Sequence, residues 1–279
     1  MQETQEKLSS GKKINRPSDD PSGTRKVLGL KTEDFQVQQY LDNTAFAKEQ
    51  INYTFNSLES VQNILSNVNE LAIQAGNDTL GPSERKVISG QLDELMESVL
   101  QYANSDNDGR YIFSGTKTHT PAISATRDSS GNISSVSYDG NNEEIKYQIG
   151  PNTFIQTNLP GGKLFQDNNI FSTLISMRDA LKAGTFNSTT FSGLKSTLET
   201  AMDALSTEST KFGAKVNRLD LTANRLESSQ TALKELVSYS EDADVASLIM
   251  DLKRQENVLQ SSLQVGAKVI QPSLLDFLR

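Results

Sequence analysis

One segment of the sequence carries oxygen ligands at a spacing similar to that of a calcium-binding loop. In NSDNDGRYIFSG (104–115), Asp106 and Asp108 occupy the third and fifth places of an EF-hand loop. The first place holds Asn104 rather than Asp, and the twelfth, where a bidentate Glu is required, holds Gly115. Because the closing carboxylate is missing, we interpret this segment as a solvated turn.

Phosphate binding and histidine chemistry are also poorly supported. GGK (161–163) is similar to the end of a phosphate-binding loop, but Thr157 replaces the first Gly and Leu164 replaces the Ser or Thr that binds magnesium. A Ser–His relay or a His-based metal site would depend on His119 alone, which lies in a Thr- and Pro-rich loop. We predict a simple turn at GGK and a histidine at the surface.

Adjacent carboxylates are the remaining candidates for catalysis. The pairs Asp19–Asp20 and Glu143–Glu144 contain the residue type that general acid–base chemistry uses. Both pairs lie in polar segments, where solvation or backbone capping explains them. The sequence therefore predicts no catalytic residue, no cofactor and no bound metal. An enzyme with a hydrolytic inserted domain is the weaker alternative, because no nucleophile elbow is present.

Composition narrows the class of protein further. The 279 residues carry a net charge of −8, with 35% hydrophobic residues and no Trp. Nucleic acid and anionic membranes attract clustered Lys and Arg, so neither is expected as a partner. The absence of Cys excludes disulfides and Cys-ligated metals, and suits a cytosolic protein or one exported without oxidative folding. No apolar run of about 18 residues and no signal-peptide core occur.

The elements that would position these residues are mainly long helices. After a loop rich in Pro, Ser and Asp (9–23), a helical pattern begins at about Thr24. Its apolar residues follow coiled-coil-like steps of four and three, and Pro82 and Ser83 open a second helix with the same steps. Two antiparallel helices joined by a short loop are predicted for the N-terminal half of a rod (1–115). The first apolar seam comprises Ile51, Phe55, Leu58, Val61, Leu65, Val68, Ala72 and Ala75.

The middle of the chain changes to the periodicity of strands. Ile145, Tyr147 and Ile149 alternate with polar residues, and DGNN (139–142) precedes them as a predicted hairpin turn. Prolines and glycines bound this stretch on both sides. We predict a small β-rich inserted domain at 116–165.

Helical character returns in residues 166–240, the C-terminal half of the predicted rod. From Leu194 to Val237 the four–three rhythm continues, with lapses at Glu208 and Gln230. At ~1.5 Å per residue, a continuous helix of this kind is about 65–70 Å long. The predicted fold class is mainly α: an elongated rod of antiparallel long helices with a small β-rich insertion.

The last segment (241–279) is predicted to be a separate terminal helix. Ser240 is the expected N-cap, and Glu241, Asp242 and Asp244 place negative charge in the first turn. An amphipathic helix of ~28 residues is marginal by propensity alone, so its apolar face needs a partner, and we identify none elsewhere in the sequence. We therefore predict that other molecules complete this face, and that the segment is sensitive to proteolysis in the monomer. The predicted assembly residues are Val245, Leu248, Ile249, Leu252, Leu259, Leu263, Ile270, Leu274, Leu275, Phe277 and Leu278.

Three segments together resemble one family. They are LSSGKKINRPSDDPSG (8–23), RYIFSGTKT (110–118) and the end of the chain from ADVASL to DFLR (243–279). With the ordered long helices between them, they resemble the flagellin superfamily of axial proteins of the bacterial flagellum. The resemblance spans nearly the whole chain except the inserted domain. FSGTKT and PSLLDFLR favour the branch that joins hook to filament, and filament flagellin is the alternative.

The resemblance implies a structural role in a tube. The helical rod and its loop would pack against neighbouring subunits, 116–165 would face outward, and 241–279 would be half of an inner helical pair. The implied partners are further copies of the chain in an axial ring, the first hook-associated protein on the hook side and flagellin on the filament side. A cytosolic export chaperone would cover the C-terminal helix. The expected inter-subunit loop residues are Ile14, Asn15, Arg16, Pro17, Asp19 and Asp20.

The resemblance also implies secretion through the flagellar type III apparatus and an extracellular location in the flagellum. Members of the family carry a further segment before EKLSSG that forms the partner of the C-terminal helix, whereas here Met1 stands almost at the loop. We therefore expect the terminal helix to lack its intramolecular partner and the sequence to be shortened at its start. An intracellular coiled-coil scaffold is the remaining alternative, and it predicts no motility defect on deletion.

Overall fold

The structure is a computed structural model that describes residues 2–77, 80–183 and 185–270, with side chains up to residue 267. The chain divides into two compact units, a terminal unit (1–39 with 226–279) and a central unit (40–225). The helices are α1 (Gln2–Ser10), α2 (Pro21–Ala75), α3 (Pro82–Ala103), α4 (Ile170–Lys182), α5 (Ser188–Glu241) and α6 (Val245–Ile270). The strands are β1 (Asp106–Asn107), β2 (Arg110–Tyr111), β3 (Ile123–Arg127), β4 (Ile133–Tyr138), β5 (Lys146–Gly150) and β6 (Thr153–Gln156).

These elements confirm the predicted fold class, long helices with a small set of short strands. Helix α2 begins at Pro21, earlier than the predicted start near Thr24. Asp20 caps the helix, because its Oδ1 accepts the backbone N–H groups of Ser22 at 3.0 Å and Gly23 at 2.9 Å. Proline suits the first helical position, where a missing N–H costs nothing. The loop before α2 is correspondingly short (11–20).

The core of the central unit follows the predicted four–three seams. Along α2 the fully buried residues recur at Ile51, Leu58, Leu65 and Ala72, with Val61 and Val68 between them. The buried side chains of α5 also recur every seven residues. A seven-residue spacing returns each side chain to within about 20° of the same side of a helix, so these residues form one apolar stripe. The corresponding residues of α5 are Leu198, Leu205, Phe212 and Leu219, and those of α3 are Ile88, Leu92, Met96 and Val99.

Among the described residues, the strands form separate two-stranded antiparallel pairs, β1–β2, β3–β4 and β5–β6. The predicted hairpin turn at 139–142 is wrong, since β4 and β5 do not pair with each other. The last residue of β4 and the connection after it form hydrogen bonds to the segment after β2 instead. The Asn141 N–H donates to the Ser114 carbonyl at 3.1 Å, and the Tyr138 hydroxyl donates to the Phe113 carbonyl at 3.0 Å.

The GGK segment forms the start of a π-helical turn (Gly162–Gln166) rather than a simple turn. A side chain could not fit at Gly162, because a Cβ there would lie 2.6 Å from Asn142 Oδ1 and 3.0 Å from the ring of Tyr138. The glycine is therefore explained by close packing against the β4–β5 connection. It is not explained by phosphate binding.

A buried arginine links three elements of the central unit. Arg178 on α4 is 4% exposed, and its guanidinium donates to the Ile133 carbonyl at 2.6 Å and to Asp93 of α3 at 3.1 Å. It also pairs with Asp179 at 2.8 Å. Burial alone would lower the pKa of Arg178, but the two carboxylates outweigh burial and raise the pKa. Removal of this side chain would leave a buried carbonyl without its donor.

In the terminal unit, the N-terminal part of α2 runs antiparallel to the C-terminal part of α5. Lys31 Nζ contacts Glu241 at 2.6 Å, and Gln230 Nε2 donates to Gln38 Oε1 at 2.7 Å. As the residue number rises along α2, that of its α5 partner falls, which fixes the antiparallel direction. The buried apolar residues of this part of the pair are Val27, Val37, Leu226 and Leu233.

Candidate assembly surface

Helix α6 begins later than the sequence predicts, and a different residue caps it. Helix α5 continues through Ser240 to Glu241, so Ser240 is not an N-cap. The cap is Asp244, whose Oδ1 accepts the N–H groups of Ala246 at 3.0 Å and Ser247 at 3.2 Å. Of the three carboxylates predicted in the first turn, that of Asp244 is thus the one that caps α6.

The apolar residues predicted to mediate assembly are largely exposed along α6. Leu248 and Leu252 are half-buried. Val245, Ile249 and Leu259 are 46–47% exposed, and Leu263 is 65% exposed. Ile270 ends the helix without a described side chain, and Leu274, Leu275, Phe277 and Leu278 lie outside the described residues. Three further exposed apolar residues on this helix were not predicted, namely Met250, Val258 and Val265.

The prediction that the terminal helix has no partner within the chain is wrong for its first turns. Helix α1 packs against α6, and Gln255 Nε2 donates to Thr4 Oγ1 at 3.2 Å. No residue of α1 is fully buried, because its sequence, QETQEKLSS, is almost entirely polar. That polarity is also why no apolar pattern indicated a helix here. Helix α1 therefore covers only part of α6, and large apolar residues both before Leu252, such as Met250, and after it, such as Leu263, remain exposed.

The predicted inter-subunit loop is held by its own acidic residues. Ile14 and Asn15 are half-buried, whereas Arg16, Pro17, Asp19 and Asp20 are exposed. Asp19 Oδ2 accepts the N–H of Arg16 at 2.9 Å and that of Asn15 at 3.1 Å. These two hydrogen bonds, with that from Arg16 the stronger cause, lower the pKa of Asp19.

Interactions with α1 and α2 hold this loop in place. Arg16 pairs with Glu6 of α1 at 3.0 Å, while Asp20 caps α2. A Cβ at Gly23 would lie 2.3 Å from Asp20 Oδ2 and 2.7 Å from Ile14 Cδ1, so only glycine fits. The loop presents Arg16 and Pro17 at a defined position. Asp19 and Asp20 accept hydrogen bonds from nearby backbone N–H groups and are also exposed at the surface of the loop.

The two segments that connect α1 and α6 to the long helices pair with each other. Lys12 and Asp242 form an antiparallel bridge. On either side of it, the Lys13 N–H donates to the Glu241 carbonyl at 2.8 Å, and the Ala243 N–H donates to the Gly11 carbonyl at 2.9 Å. We call this pairing of residues 11–13 with 241–243, together with Lys31, the terminal tie.

Glu241 is the charged centre of the terminal tie. Its side chain is 11% exposed and accepts an ion pair from Lys12 at 2.8 Å and from Lys31 at 2.6 Å. Burial acts to raise the pKa of Glu241, but hydrogen bonds from the two ammonium groups outweigh it, and the pKa is lowered. The same contact raises the pKa of Lys12. The sequence pattern predicted Glu241 in the first turn of the terminal helix and gave no sign of these ion pairs.

The remaining chemical candidates have structural explanations. Asp106 Oδ2 accepts the N–H of Gly109 at 3.1 Å, and Asp108 and Gly109 both have left-handed backbone with φ of 53° and 72°. This confirms the predicted turn at the calcium-like segment. His119 is exposed, as predicted. Within residues 2–77, 80–183 and 185–270, no group of His, Cys, Asp and Glu is placed to hold a metal ion. In the same ranges, no helix is long and apolar enough to cross a bilayer.

Comparison with known families matches both ends of the chain. The model of the bacterial flagellin N-terminal helical region matches residues 1–118, and that of the bacterial flagellin C-terminal helical region matches residues 196–278. Together the two models cover the terminal unit and most of the long helices. The chain belongs to the bacterial flagellin family.

Several individual relatives are named as hook-associated or junction proteins, a narrower class than the flagellin family. The chain is 27% identical to flagellar hook-associated protein 3 of Escherichia coli (strain K12) over 92% of this chain and 86% of that protein. It is 28% identical to flagellar hook-associated protein 3 of Salmonella typhimurium over 62% of this chain and 52% of that protein. The fold is similar to that of the flagellar junction protein FlgL from Legionella pneumophila, with a TM-score of 0.64, 15% identity and coverage of 79% of this chain and 100% of that one.

Proposed function

We propose that this chain is a structural axial subunit of the bacterial flagellum that joins the hook to the filament. The observation that carries the proposal is the similarity to hook-associated protein 3 over 92% of the chain. The flagellin family as a whole builds flagellar structures, so the role is structural rather than enzymatic. Filament flagellin is the second candidate, because the two family models that match are those of bacterial flagellin.

The exposed apolar residues of α6 support an assembly role. Val245, Ile249, Leu259 and Leu263 lie on one side of the helix and Met250, Val258 and Val265 on the opposite side, and all are 46–68% exposed. If each gains about 1 kcal/mol when the exposed part is buried, the two sides together contribute roughly 7 kcal/mol before association costs. Loss of translational freedom and ordering of side chains offset much of this gain. Assembly would therefore stabilise α6 more than folding of the monomer does.

We also propose which proteins contact the chain and how the chain is exported. Further copies of the chain would lie beside it in an axial ring, with the first hook-associated protein on the hook side and flagellin on the filament side. The loop residues Ile14, Asn15, Arg16, Pro17, Asp19 and Asp20 would contact neighbouring subunits. A cytosolic chaperone would cover the exposed face of α6 before export through the flagellar type III apparatus. The residues predicted at 116–165 would form an outward-facing domain, and 241–279 would lie at the inside of the tube.

Deletion of the gene tests the junction role. In the bacterium that encodes the chain, we expect cells with hooks, no attached filaments and flagellin released into the medium. Expression of the wild-type chain from a plasmid, with whatever upstream segment the gene encodes, should restore attached filaments. Attached filaments in the deletion strain would contradict the junction role.

Electron microscopy of purified protein separates the two candidates. A filament flagellin forms long filaments on its own, whereas a junction subunit does not extend beyond short assemblies. Long filaments of the purified chain, together with missing filament protein in the deletion strain, would favour flagellin.

A further inference from the structure

A cavity of the central unit lies between α5 and the segment that runs from β6 into the π-helical turn. Its volume is about 530 Å³, within the roughly 300–1,000 Å³ range that is typical of small-molecule sites. Leu159 and Leu164 are buried in its lining, whereas Lys163 and Lys211 are exposed at it. None of the predicted assembly residues or loop residues lines this cavity.

Helix α5 contributes one polar face to the cavity. Ala204, Glu208, Lys211 and Lys215 recur at steps of three and four, so they lie on the same side of the helix. Glu208 is also the position at which the apolar seam of α5 lapses, and its side chain is 29% exposed. A carboxylate is tolerated at this seam position because it lines the cavity. The lapse in the sequence pattern is thereby explained.

Lys215 is a half-buried ammonium group with few partners. Its Nζ donates to the Gln156 carbonyl at 3.1 Å and lies 4.3 Å from the centre of the Phe212 ring. An ammonium can donate three hydrogen bonds, and no carboxylate of residues 2–77, 80–183 and 185–267 forms an ion pair with Lys215. Burial lowers the pKa of Lys215 and outweighs the opposite effects of Glu208 and Glu144. Lys215 is therefore short of negative charge.

The two carboxylates that line the cavity already have lysine partners. Glu144 pairs with Lys146 at 2.9 Å, and Glu208 pairs with Lys211 at 2.7 Å. Each carboxylate is thus balanced by one ammonium group.

Lys163 and Lys215 supply charge that is not balanced. In the part of the chain that the structure describes, neither side chain forms an ion pair. The next carboxylates along the same segments, Asp167 and Asp203, are exposed and do not line the cavity. Four lysines against two glutamates leave a net of two positive charges here, although the whole chain carries a net charge of −8.

We infer that this cavity binds a small organic anion with two negative charges, a phosphate ester or a dicarboxylate. Its charged groups lie at Lys163 and Lys215, and its carbon atoms contact Leu159 and Leu164. A dianion matches the net charge of the cavity, and an anion interacts more strongly with a half-buried ammonium than with a fully solvated one. This binding activity is additional to the structural role and does not depend on it.

Pyridoxal 5′-phosphate is a suitable probe of the purified full chain, because it combines a dianionic phosphate, a ring and an aldehyde. The aldehyde condenses with a neutral amine to an imine with loss of water, and hydride from borohydride then converts the imine into a stable secondary amine. Mass spectrometry of the digested protein gives the labelled fraction of each lysine. At limiting probe we expect Lys215 to be labelled about tenfold more than the exposed Lys234 of α5, because a bound probe has an effective concentration in the millimolar range.

Competition separates an anion site from a merely reactive amine. Inorganic phosphate or succinate, each compared with sodium chloride at equal ionic strength, should protect Lys215 and leave the labelling of Lys234 unchanged. Protection by phosphate alone identifies the phosphate-ester class, and protection by succinate alone identifies the dicarboxylate class.

A matched pair of variants tests the second lysine. Lys163→Met changes an exposed side chain and should lower the labelling of Lys215 about three- to fivefold, as expected for loss of one solvated ion pair. Lys195→Met removes the same charge from α5 outside the cavity and should leave the labelling of Lys215 unchanged. Circular dichroism of both variants verifies that the helices are intact.

Three results would overturn the inference. The first is equal labelling of Lys215 and Lys234. The others are strong labelling of Lys215 that neither phosphate nor succinate reduces, and labelling that Lys163→Met leaves unchanged, since both describe a reactive amine without an anion site. The deletion phenotype tests the junction role separately, so failure of one proposal does not decide the other.

Discussion

Replacement of Glu241 by Gln would test the terminal tie most directly. The carboxylate is buried in the tie and pairs with Lys12 at 2.8 Å and Lys31 at 2.6 Å. Glutamine keeps the shape and one acceptor oxygen but removes the charge. The two lysine side chains are 43% and 44% exposed, so solvent screens part of each interaction. We expect the opening free energy of the tie to fall by about 1–2 kcal/mol.

Hydrogen exchange measures this opening at two reporter amides. The N–H of Lys13 donates to the Glu241 carbonyl, and the N–H of Ala243 donates to the Gly11 carbonyl, so both exchange only when the tie opens. A loss of about 1–2 kcal/mol corresponds to exchange about 5–30-fold faster in Glu241→Gln than in the wild type. Amides in the core of the central unit, such as that of Leu65, should be unaffected.

The matched control is Glu235→Gln, which removes the same charge from an exposed position of the same helix. Its effect on the two amides should be small, because surface charges contribute little. Equal protection in Glu241→Gln and the wild type would refute the ionic role of the tie. Equal acceleration by both variants would show that net charge, rather than the ion pairs, is responsible.

Four further predictions concern pH, backbone packing, the central unit and assembly. The pKa of Glu241 is lowered from 4.5, so the stabilisation by its carboxylate is fully present above pH 4.5 and is lost as the pH falls through the lower pKa of the folded state. Hydrogen exchange at the amides of Lys13 and Ala243, corrected for intrinsic rates, should therefore accelerate below pH 4.5 in the wild type and much less in Glu241→Gln. Gly23→Ala should destabilise the terminal unit by about 1–3 kcal/mol in chemical denaturation because its Cβ meets Asp20 and Ile14, whereas Gly29→Ala, with open space around it, should stabilise α2 by about 0.5–1 kcal/mol. Arg178→Leu should lower the unfolding free energy of the central unit by about 2–3 kcal/mol, and Lys182→Met, which removes the more exposed partner of the same carboxylate, by less than about 1 kcal/mol. Leu263→Ser should change the stability of the monomer by less than about 0.5 kcal/mol yet reduce filament attachment in complemented cells, and unchanged attachment would argue against assembly through α6.

The long helices could be predicted because their signal repeats. Residues such as Leu58, Leu65, Leu205 and Phe212 are buried at seven-residue intervals, and each turn of the helix adds another instance of the same pattern. A single misplaced residue hardly weakens such a signal. The exposed apolar stripe on α6 could be predicted for the same reason.

The connections could not be predicted, because single contacts with distant residues decide them. Ser240 is a reasonable cap by local preference, but the ion pairs of Glu241 with Lys12 and Lys31 extend α5 past it. DGNN has the composition of a hairpin turn, but the N–H of Asn141 donates to the carbonyl of Ser114, which lies outside the predicted hairpin. The local sequence contains no trace of these partners.

Helix α1 was missed for a different reason. Its residues are polar, and it is positioned by α6 and by the pair Arg16–Glu6 rather than by an apolar stripe of its own. On α6, by contrast, the exposed apolar residues could be predicted from their repeating pattern. The groups that place the loop, Asp19 and Asp20, could be recognised only as polar residues of unassigned role.

The terminal tie also sets an order of events for a chain that is delivered from its N-terminus. Lys12 and Glu241 are separated by 229 positions, so their contact cannot form until almost the whole chain has emerged. Residues 40–225 can gather their apolar side chains before that moment, since the pairs β1–β2, β3–β4 and β5–β6 and the α3–α4 contact lie within them. In such a chain, the contacts of Glu241 would form after those within residues 40–225, because Glu241 emerges later. Until the terminal tie forms, α1 and α6 would be free to bind another protein.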